Sequence, residues 1–438
     1  MPDNQHLSRR PLEAVFYADG APLTRCLVRR GRYVIGQEPK NEIVINEPSI
    51  SGIHARLSLH SEDDIFIEDL GSANGTFVDG YAATGETRLG LNADVRLGAV
   101  ELRFERSRLP AAVFHELPAA FLRPQRYDLG EAMVEGQTST IFQARDVSLE
   151  RDVAVKMMLP GSQRDSASVL RFVREAQITA QLPHPGILPI YELGINEQGR
   201  LFFTTRFIEG ESLAAILDRL ADGDERTISR YSLLTLLGIW QKACDAVAFA
   251  HSRGVMHTSL TPEAVDVGRF GEVFVTRWSL ALVHAEAFGN SQHIHAPETA
   301  ATPPLSAYTA PEQAADLLHD VDARTDIFAL GGILYRILTL RDPLHAETDD
   351  ALLEAALNAS VPPPATLGLE SPHPHWPRHR LPEVPSAVAM KALSYARENR
   401  HQTVAELQHE MSAWQEGAAS GADLATLWKQ FTGSLRPH

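Results

Sequence analysis

Lys156 ends the apolar run Val153-Ala154-Val155, and Glu175 sits in the stretch 166–182, whose apolar residues recur at helical spacing. A lysine after three apolar strand residues reads by itself as a strand end. With a carboxylate on a helix face as its counterpart, it becomes half of an ion pair that holds the helix inward. Farther along, the loop His257-Thr258-Ser259-Leu260-Thr261-Pro262-Glu263-Ala264 carries three hydroxyls, poor bases near neutral pH, and ends on a methyl group, at Ala264, which cannot ligate a cation. Two histidine-bearing loops, one with His293 and His295 and one with His373, His375 and His379, have no acidic or cysteine ligands converging on them and read as solvated. Cys26 and Cys244 lie far apart, so neither a disulfide framework nor a zinc cluster is indicated, and reduced structural thiols are expected.

These residues are carried by a chain of 438 residues, 44% hydrophobic, long enough for two or three domains and globular in composition. Its formal net charge is -16, from 40 basic and 56 acidic side chains, which argues against nucleic-acid or anionic-membrane binding, and no basic run offsets it. Residues 1–10 are polar without the apolar core of a signal peptide, and no uncharged run approaches the ~18 residues needed to cross a bilayer, so a cytoplasmic location is expected. From 12 to 106, short strands at 15–23, 32–37, 42–46, 55–60, 65–71, 75–80 and 100–105 alternate with turn signals at Asp19-Gly20, Asn74-Gly75 and Asp79-Gly80. That is the pattern of an all-β sandwich. Residues 107–125, with three prolines among apolar residues, read as a linker. From 126 to 416 a β-rich part gives way to helices after Ser212, an α+β organisation, and 417–438 read as a C-terminal tail.

Within the sandwich, Gly36-Gln37, then Ser51-Gly52-Ile53-His54, then Asp69-Leu70-Gly71-Ser72-Ala73-Asn74-Gly75-Thr76-Phe77 resemble in order the motifs of the forkhead-associated (FHA) family. The resemblance implies a β-sandwich whose loops read phosphothreonine peptides. An arginine after the first glycine and the serine of S-x-x-H grip the phosphate, the asparagine of N-G fixes the peptide backbone, and the histidine braces the loop. Ser51 and Asn74 are in place, with His54 and Gly75 as structural residues, whereas Gln37 stands where the arginine is expected and Gly52 where many members carry a second basic residue. A guanidinium makes a charge-assisted, often bidentate contact with phosphate, and a glutamine amide makes one neutral hydrogen bond. Weakened phosphothreonine dependence is expected, with Arg32, Lys40 and Arg56 as the cations available to substitute. A plainer reading, a sandwich kept for stability with Ser51 and Asn74 capping turns, stays open.

Residues 126–416 resemble bacterial serine/threonine protein kinases through motifs that occur in order. They are Val153-Ala154-Val155-Lys156, Glu175, His184-Pro185-Gly186-Ile187, the loop from His257, Ala310-Pro311-Glu312, Asp326 and Arg400. The resemblance implies a bilobal α+β fold in which Lys156 touches nucleotide phosphates with Glu175 as its partner, Asp326 is a buried aspartate of the central helix, and Arg400 pairs with Glu312. The departures fall on the chemistry. In the family pattern H-R-D-L-x-x-x-N the aspartate takes the substrate hydroxyl proton and the asparagine holds magnesium, but here Ser259 and Ala264 stand there. The D-F-G motif appears as Arg277-Trp278-Ser279, so a metal ligand has become a cation. The glycine-rich phosphate cover is Val134-Glu135-Gly136-Gln137-Thr138-Ser139, with one glycine of three and an added acid. Asp266 falls where an apolar side chain lies beneath the adenine, and an unpaired carboxylate buried there costs on the order of several kcal/mol. Ile141 and Ala154, at the other adenine positions, remain apolar. The alternatives for Asp266 are a register slip that leaves it an exposed strand-end acid, and a pairing with Arg277 that fills the cleft from within.

These readings give an all-β FHA-like sandwich joined to an α+β bilobal protein kinase-like domain that looks like a pseudokinase. The expected function is a catalytically inactive scaffold or allosteric regulator in bacterial phospho-signalling, whose partner is a protein, such as a phosphothreonine-containing peptide or a kinase. No metal is expected, magnesium included, and ATP is expected to bind weakly or not at all, with Lys156 and Glu175 kept as a structural brace. The alternative is an active serine/threonine kinase using an unconventional base. Thr299, Thr302 and Ser306 are hydroxyls that another kinase could phosphorylate.

Overall fold

The computed structural model describes residues 12–61, 64–106, 126–196, 198–284, 304–367, 375–376 and 381–420. The 107–125 linker, His293, His295, Thr299, Thr302, His373, His379 and residues 421–438 of the tail lie outside them.

The N-terminal strands are β1 (Leu12–Ala18), β2 (Ala21–Val28), β3 (Gly31–Gly36), β4 (Ile43–Val44), β5 (Ala55–Ser61), β6 (Asp64–Asp69), β7 (Thr76–Val78), β8 (Tyr81–Ala82), β9 (Thr87–Leu89), β10 (Val95–Leu97) and β11 (Val100–Arg106). They form two sheets, ordered β2-β1-β11-β10-β7-β8 and β4-β3-β5-β6-β9. Alternation decides which face is inside: Ile65 and Ile67 of β6, and Val100 and Leu102 of β11, are buried, while their neighbours are not. With Phe16, Ile35, Leu57, Val95 and Leu97 they make a single core. Asp19-Gly20 and Asp79-Gly80 each place both residues at positive φ (49° and 79°; 50° and 84°), a two-residue turn whose twist matches the strands it joins. The segment 15–23 is thus two strands folded about Asp19-Gly20. Strands β8, β9 and β10, two or three residues long, escaped the sequence because a period cannot show in so few residues.

A five-stranded sheet follows, built from β12 (Tyr127–Glu135), β13 (Ser139–Asp146), β14 (Arg151–Met158), β15 (Ile190–Ile195) and β16 (Leu201–Arg206) in the order β12-β13-β14-β16-β15. Val153, Val155 and Met157 are buried on one face of β14, so Ala154 and Lys156 point to the other.

The helical unit contains α1 (Ser166–Ala180), β17 (Gly210–Ser212), α2 (Leu213–Ala221), α3 (Glu225–Arg230), α4 (Leu233–Ser252), β18 (Val255–Met256), β19 (Val265–Gly268), β20 (Val273–Val275), β21 (Leu282–Val283), α5 (Pro311–Ala314), α6 (Ala323–Thr339), α7 (Asp349–Leu357), α8 (Glu383–Ala392) and α9 (Val404–Ser420). Asp165, Ser212, Asp224, Ser232, Asp322 and Thr348 cap α1, α2, α3, α4, α6 and α7, their side-chain oxygens accepting first-turn N–H groups. Each cap contributes about 1 kcal/mol. Helix α4 is long and apolar enough to cross a membrane, yet Leu236, Leu237, Trp240, Ala243 and Val247 are buried in the core, and the Trp240 indole donates to the Leu330 carbonyl at 2.9 Å. Helix α6 is apolar nearly all round, as a central helix must be. Helix α9 runs through Ser420, into the segment read as tail.

His375 corrects the sequence reading. It is buried, its carbonyl accepts the Leu233 N–H at 3.0 Å, and its Nε2 bonds the Ile337 carbonyl at 2.9 Å. Trp376 beside it is buried too, its indole donating to the Leu338 carbonyl at 2.7 Å, and burying that ring takes the histidine inside with it.

Candidate functional sites

The loop 257–264 leaves β18 and enters β19, and its backbone is pinned by one side chain of α6. Asp326 Oδ2 accepts the His257 N–H at 2.8 Å and Oδ1 the Thr258 N–H at 2.8 Å, while His251 Nε2 meets Oδ2 at 2.7 Å. Burial alone would raise the Asp326 pKa, but the His251 hydrogen bond, the histidine charges and the His257 N–H outweigh it and hold it below the ordinary carboxylate value. Thr258 is left-handed at φ 62°, a strained state for a β-branched residue. It is held there by its N–H bond to Asp326, by its hydroxyl donating to the Leu280 carbonyl at 2.8 Å, and by its own carbonyl accepting Gln313 Nε2 at 2.7 Å.

His257 is fully buried, packed against the Trp278 ring with centroids 4.6 Å apart, and its Nε2 lies 2.8 Å from the Thr276 carbonyl. A carbonyl partner makes Nε2 the protonated nitrogen, so Nδ1 faces Ser259 as an acceptor, 3.4 Å from both its N–H and its hydroxyl oxygen. Burial pushes the His257 pKa down, partly opposed by Asp326 and the Thr276 carbonyl. Ser259 is half-buried and Ala264 fully buried. Ala264 sets no ligand toward a cation; its carbonyl instead accepts the Thr276 N–H at 2.9 Å.

Asp266 is paired in register with Ser212 on β17 and Phe274 on β20, which settles its place in β19 and excludes a frayed strand end. Its carboxylate is half-buried and accepts the Thr276 hydroxyl at 3.3 Å. Burial raises its pKa, with the Thr276 hydroxyl and the Arg277 charge pulling the other way. Arg277 follows β20 in the left-handed region, φ 66° and ψ 45°, and is exposed. Among the described residues it makes no direct ion pair with Asp266, and only its charge acts on that carboxylate. Among the described residues, too, no group of three His, Cys, Asp or Glu side chains is placed to hold a metal ion.

Lys156 lies on β14 opposite Ile141 and Phe203, its ammonium 5.4 Å from the centre of the Phe203 ring. Glu175 is buried on α1. Ile141 and Ala154 are half-buried on β13 and β14, and of residues 134–139, where the phosphate cover was read, 134–138 are exposed and Ser139 is buried. The fold-holding pair is in place: Arg400 and Glu312 are buried, joined at 2.7 and 2.9 Å, and the Thr325 hydroxyl donates to Glu312 Oε1 at 2.8 Å. Ser306, the described member of the three hydroxyls, is half-buried and bonded to Thr309.

In the sandwich the structure brings Gln37, Ser51, His54, Asn74 and Gly75 to one end. His54 is buried, its Nδ1 accepting the Ser51 N–H at 3.0 Å and its Nε2 donating to the Gly75 carbonyl at 3.2 Å. Burial lowers its pKa, which keeps the neutral tautomer this bridge requires. Asp69 accepts from the backbones of Gly71 and Ser72 and from the hydroxyls of Ser72 and Thr76, all at 2.7 to 2.9 Å. Ser51 Oγ accepts the Ala73 N–H at 2.9 Å and Asn74 Nδ2 donates to the Ser49 carbonyl at 2.8 Å, so both residues staple loops. Gln37 spends its Nε2 on the Glu47 carbonyl at 2.8 Å. Two of the substitute cations are paired, Lys40 with Glu38 at 2.7 Å and Arg56 with Glu68 at 2.9 Å, while Arg32 is exposed on β3. Glu38, Thr276 and His251 were missed in the sequence. Each acts through a partner distant along the chain, and no local pattern marks them.

The sequence pattern of the protein kinase domain matches residues 127–415, and that of the FHA domain residues 33–98. The chain is 30% identical over 315 residues to serine/threonine-protein kinase PknD of Protochlamydia amoebophila, covering 69% of this chain and 31% of that one. It is 33% identical over 302 residues to serine/threonine-protein kinase PknB of Mycolicibacterium smegmatis, covering 68% and 44%. To the protein of that name in Mycobacterium tuberculosis it is 33% identical over 290 residues, covering 65% and 42%. The chain therefore spans less than half the length of these relatives. Over residues 127–415, by far its larger part, this chain belongs to the protein kinase family, and it carries an FHA domain ahead of the kinase domain.

Proposed function

We propose that this chain is a catalytically inactive member of the protein kinase family, a scaffold or allosteric regulator in bacterial phospho-signalling. Its FHA domain engages a protein partner with weakened dependence on phosphothreonine. The observation that carries this reading is the set of exchanges around one loop. Ser259 and Ala264 stand where a base and a metal ligand belong, an exposed cation, Arg277, stands where a second metal ligand belongs, and Asp266 is half-buried on the strand that follows. Phosphoryl transfer rests on positioning and on cations that neutralise developing charge. Here no carboxylate or amide remains at those positions to hold such a cation. ATP binding is accordingly weak and independent of magnesium.

A second reading, a kinase with an unconventional base, is favoured by the names of the relatives and by Ser259 facing His257 Nδ1 at 3.4 Å. Purified full-length protein incubated with labelled ATP and magnesium or manganese separates the two. Incorporation no higher than in Lys156→Ala supports inactivity. Incorporation that Lys156→Ala and Ser259→Ala both abolish establishes the second reading.

A further inference from the structure

The loop after β3 runs beside the loop before β5: the Gln37 N–H donates to the Ser51 carbonyl and the Glu38 N–H to the Gly52 carbonyl, each at 3.0 Å. This ladder seats the Glu38 side chain directly on Gly52. A Cβ at Gly52 would stand 2.9 Å from Glu38 Oε1, 3.2 Å from Cγ and 3.4 Å from Cδ, so the Glu38 side chain lies in the space that a side chain at 52 would enter. Asn41 fixes the same strip from behind, Nδ2 donating to the Gly52 carbonyl at 2.7 Å and its N–H to the Glu38 carbonyl at 3.0 Å. Three departures thus meet on one surface. The cation at 37 is replaced by an amide already bonded to Glu47, the side chain at 52 is removed, and an anion lies in its place, drawing Lys40 onto itself at 2.7 Å.

We infer that Glu38 is the specificity-determining residue of the FHA loops, a built-in carboxylate that repels a phosphorylated threonine and selects the unmodified form of the partner segment. A phosphothreonine brings close to two negative charges beside Ser51. It meets the Glu38 carboxylate one residue away, which repels it and, through their ion pair, offsets the attraction of Lys40. An uncharged threonine meets the same hydroxyl and backbone groups without that repulsion. Phosphorylation of the partner then releases it from this domain. The inference rests on the proposed reading of these loops as the partner-binding surface.

The test uses the full chain and an immobilised short-peptide library with a fixed central phosphothreonine, beside the same library with threonine. The wild type is compared with Glu38→Gln, Glu38→Ala, Gln37→Arg and the double variant Gln37→Arg/Glu38→Gln, all checked for unchanged melting. Glu38→Gln keeps the packing on Gly52 and removes the charge, and with it the ion pair to Lys40. It is expected to raise retention on the phosphothreonine library by about tenfold at low salt, in the wild-type or the Gln37→Arg background, with less gain at high salt. Retention on the threonine library stays unchanged. No gain in either background, or a gain with Glu38→Ala that Glu38→Gln lacks, overturns the role of Glu38 while leaving weak phosphothreonine dependence standing. A wild type that already prefers the phosphothreonine library overturns both.

Discussion

The loop 257–264 and the end loops of the sandwich have been altered in parallel ways and with different consequences. In each, the residues that hold the backbone are in place: Asp326 pins His257 and Thr258, and His54 ties Ser51 to Gly75. In each, the positions that would face a charged ligand have been exchanged. In the sandwich the carboxylate of Glu38 is on a side chain 43% exposed, where water screens it, and its inferred role is in ligand selection. The helical unit took Asp266 on a strand, half-buried, where the charge works against stability itself. A loop scaffold and its ligand contacts are thus separable, and where the exchanged residue sits decides whether the change bears on binding or on folding.

The separation breaks most visibly at Arg400. All five guanidinium N–H donors are accounted for, by Glu312 and by the carbonyls of Ser394, Arg324 and Tyr395. Arg400→Ala leaves Glu312 as an uncompensated buried charge and should cost about 3–5 kcal/mol in the unfolding of the kinase domain. Ser259→Ala, by contrast, should stay within about 0.5 kcal/mol. Urea unfolding of the full chain reads both, and equal midpoint shifts would refute the distinction between scaffold and vacated site. Next in size is His54→Ala in the sandwich, where losing a buried two-ended bridge should cost about 1–3 kcal/mol and leave the kinase transition in place.

The frames of both sites were legible because their motifs are local: Ser51 to His54, Asn74 with Gly75, His257 to Ala264, and Ala310 to Glu312. The charge pattern around them was not. Glu38 becomes informative only once the backbone ladder puts it on Gly52, and His375 changed from solvated to buried because Trp376 had to be sheltered. Strands β8 to β10 were invisible for want of length, whereas the spacing along 166–182 had already shown α1. What the sequence conveys well is period and motif, and what it conveys poorly is which distant side chain a given one must neutralise.

Acidification should weaken both regions from the same pH. His54 and His257 are held below their ordinary value of 6.5 by burial, so the unfolded chain takes up protons that the folded chain refuses. Stability from each is complete above that value and is lost as pH falls through the lowered one. Asp69 and Asp326, both held below 3.8 by hydrogen bonds that outweigh burial, add a further loss in more acid solution. Unfolding midpoints at pH 7.5, 5.5 and 4 should fall in both transitions. His54→Gln should flatten the slope between the first two for the sandwich alone, and a slope unmoved by it would place the titration elsewhere.

The smallest effect expected has the opposite sign and belongs to the helical unit only. Burial raises the Asp266 pKa above 3.8, so the folded state holds its proton where the unfolded state has lost it. For such a carboxylate the folded state is favoured at low pH, and that advantage disappears as pH rises through the raised value, leaving a charge in a half-buried place at neutrality. Asp266→Asn retains an acceptor for the Thr276 hydroxyl and removes the charge. It should raise the melting temperature of the kinase domain at pH 7, with the gain shrinking toward pH 3 and no change in the sandwich. A variant that melts lower at pH 7 would mean that Arg277, exposed though it is, already neutralises Asp266 through solvent. The charge would then stabilise the domain as the carboxylates of the scaffold do.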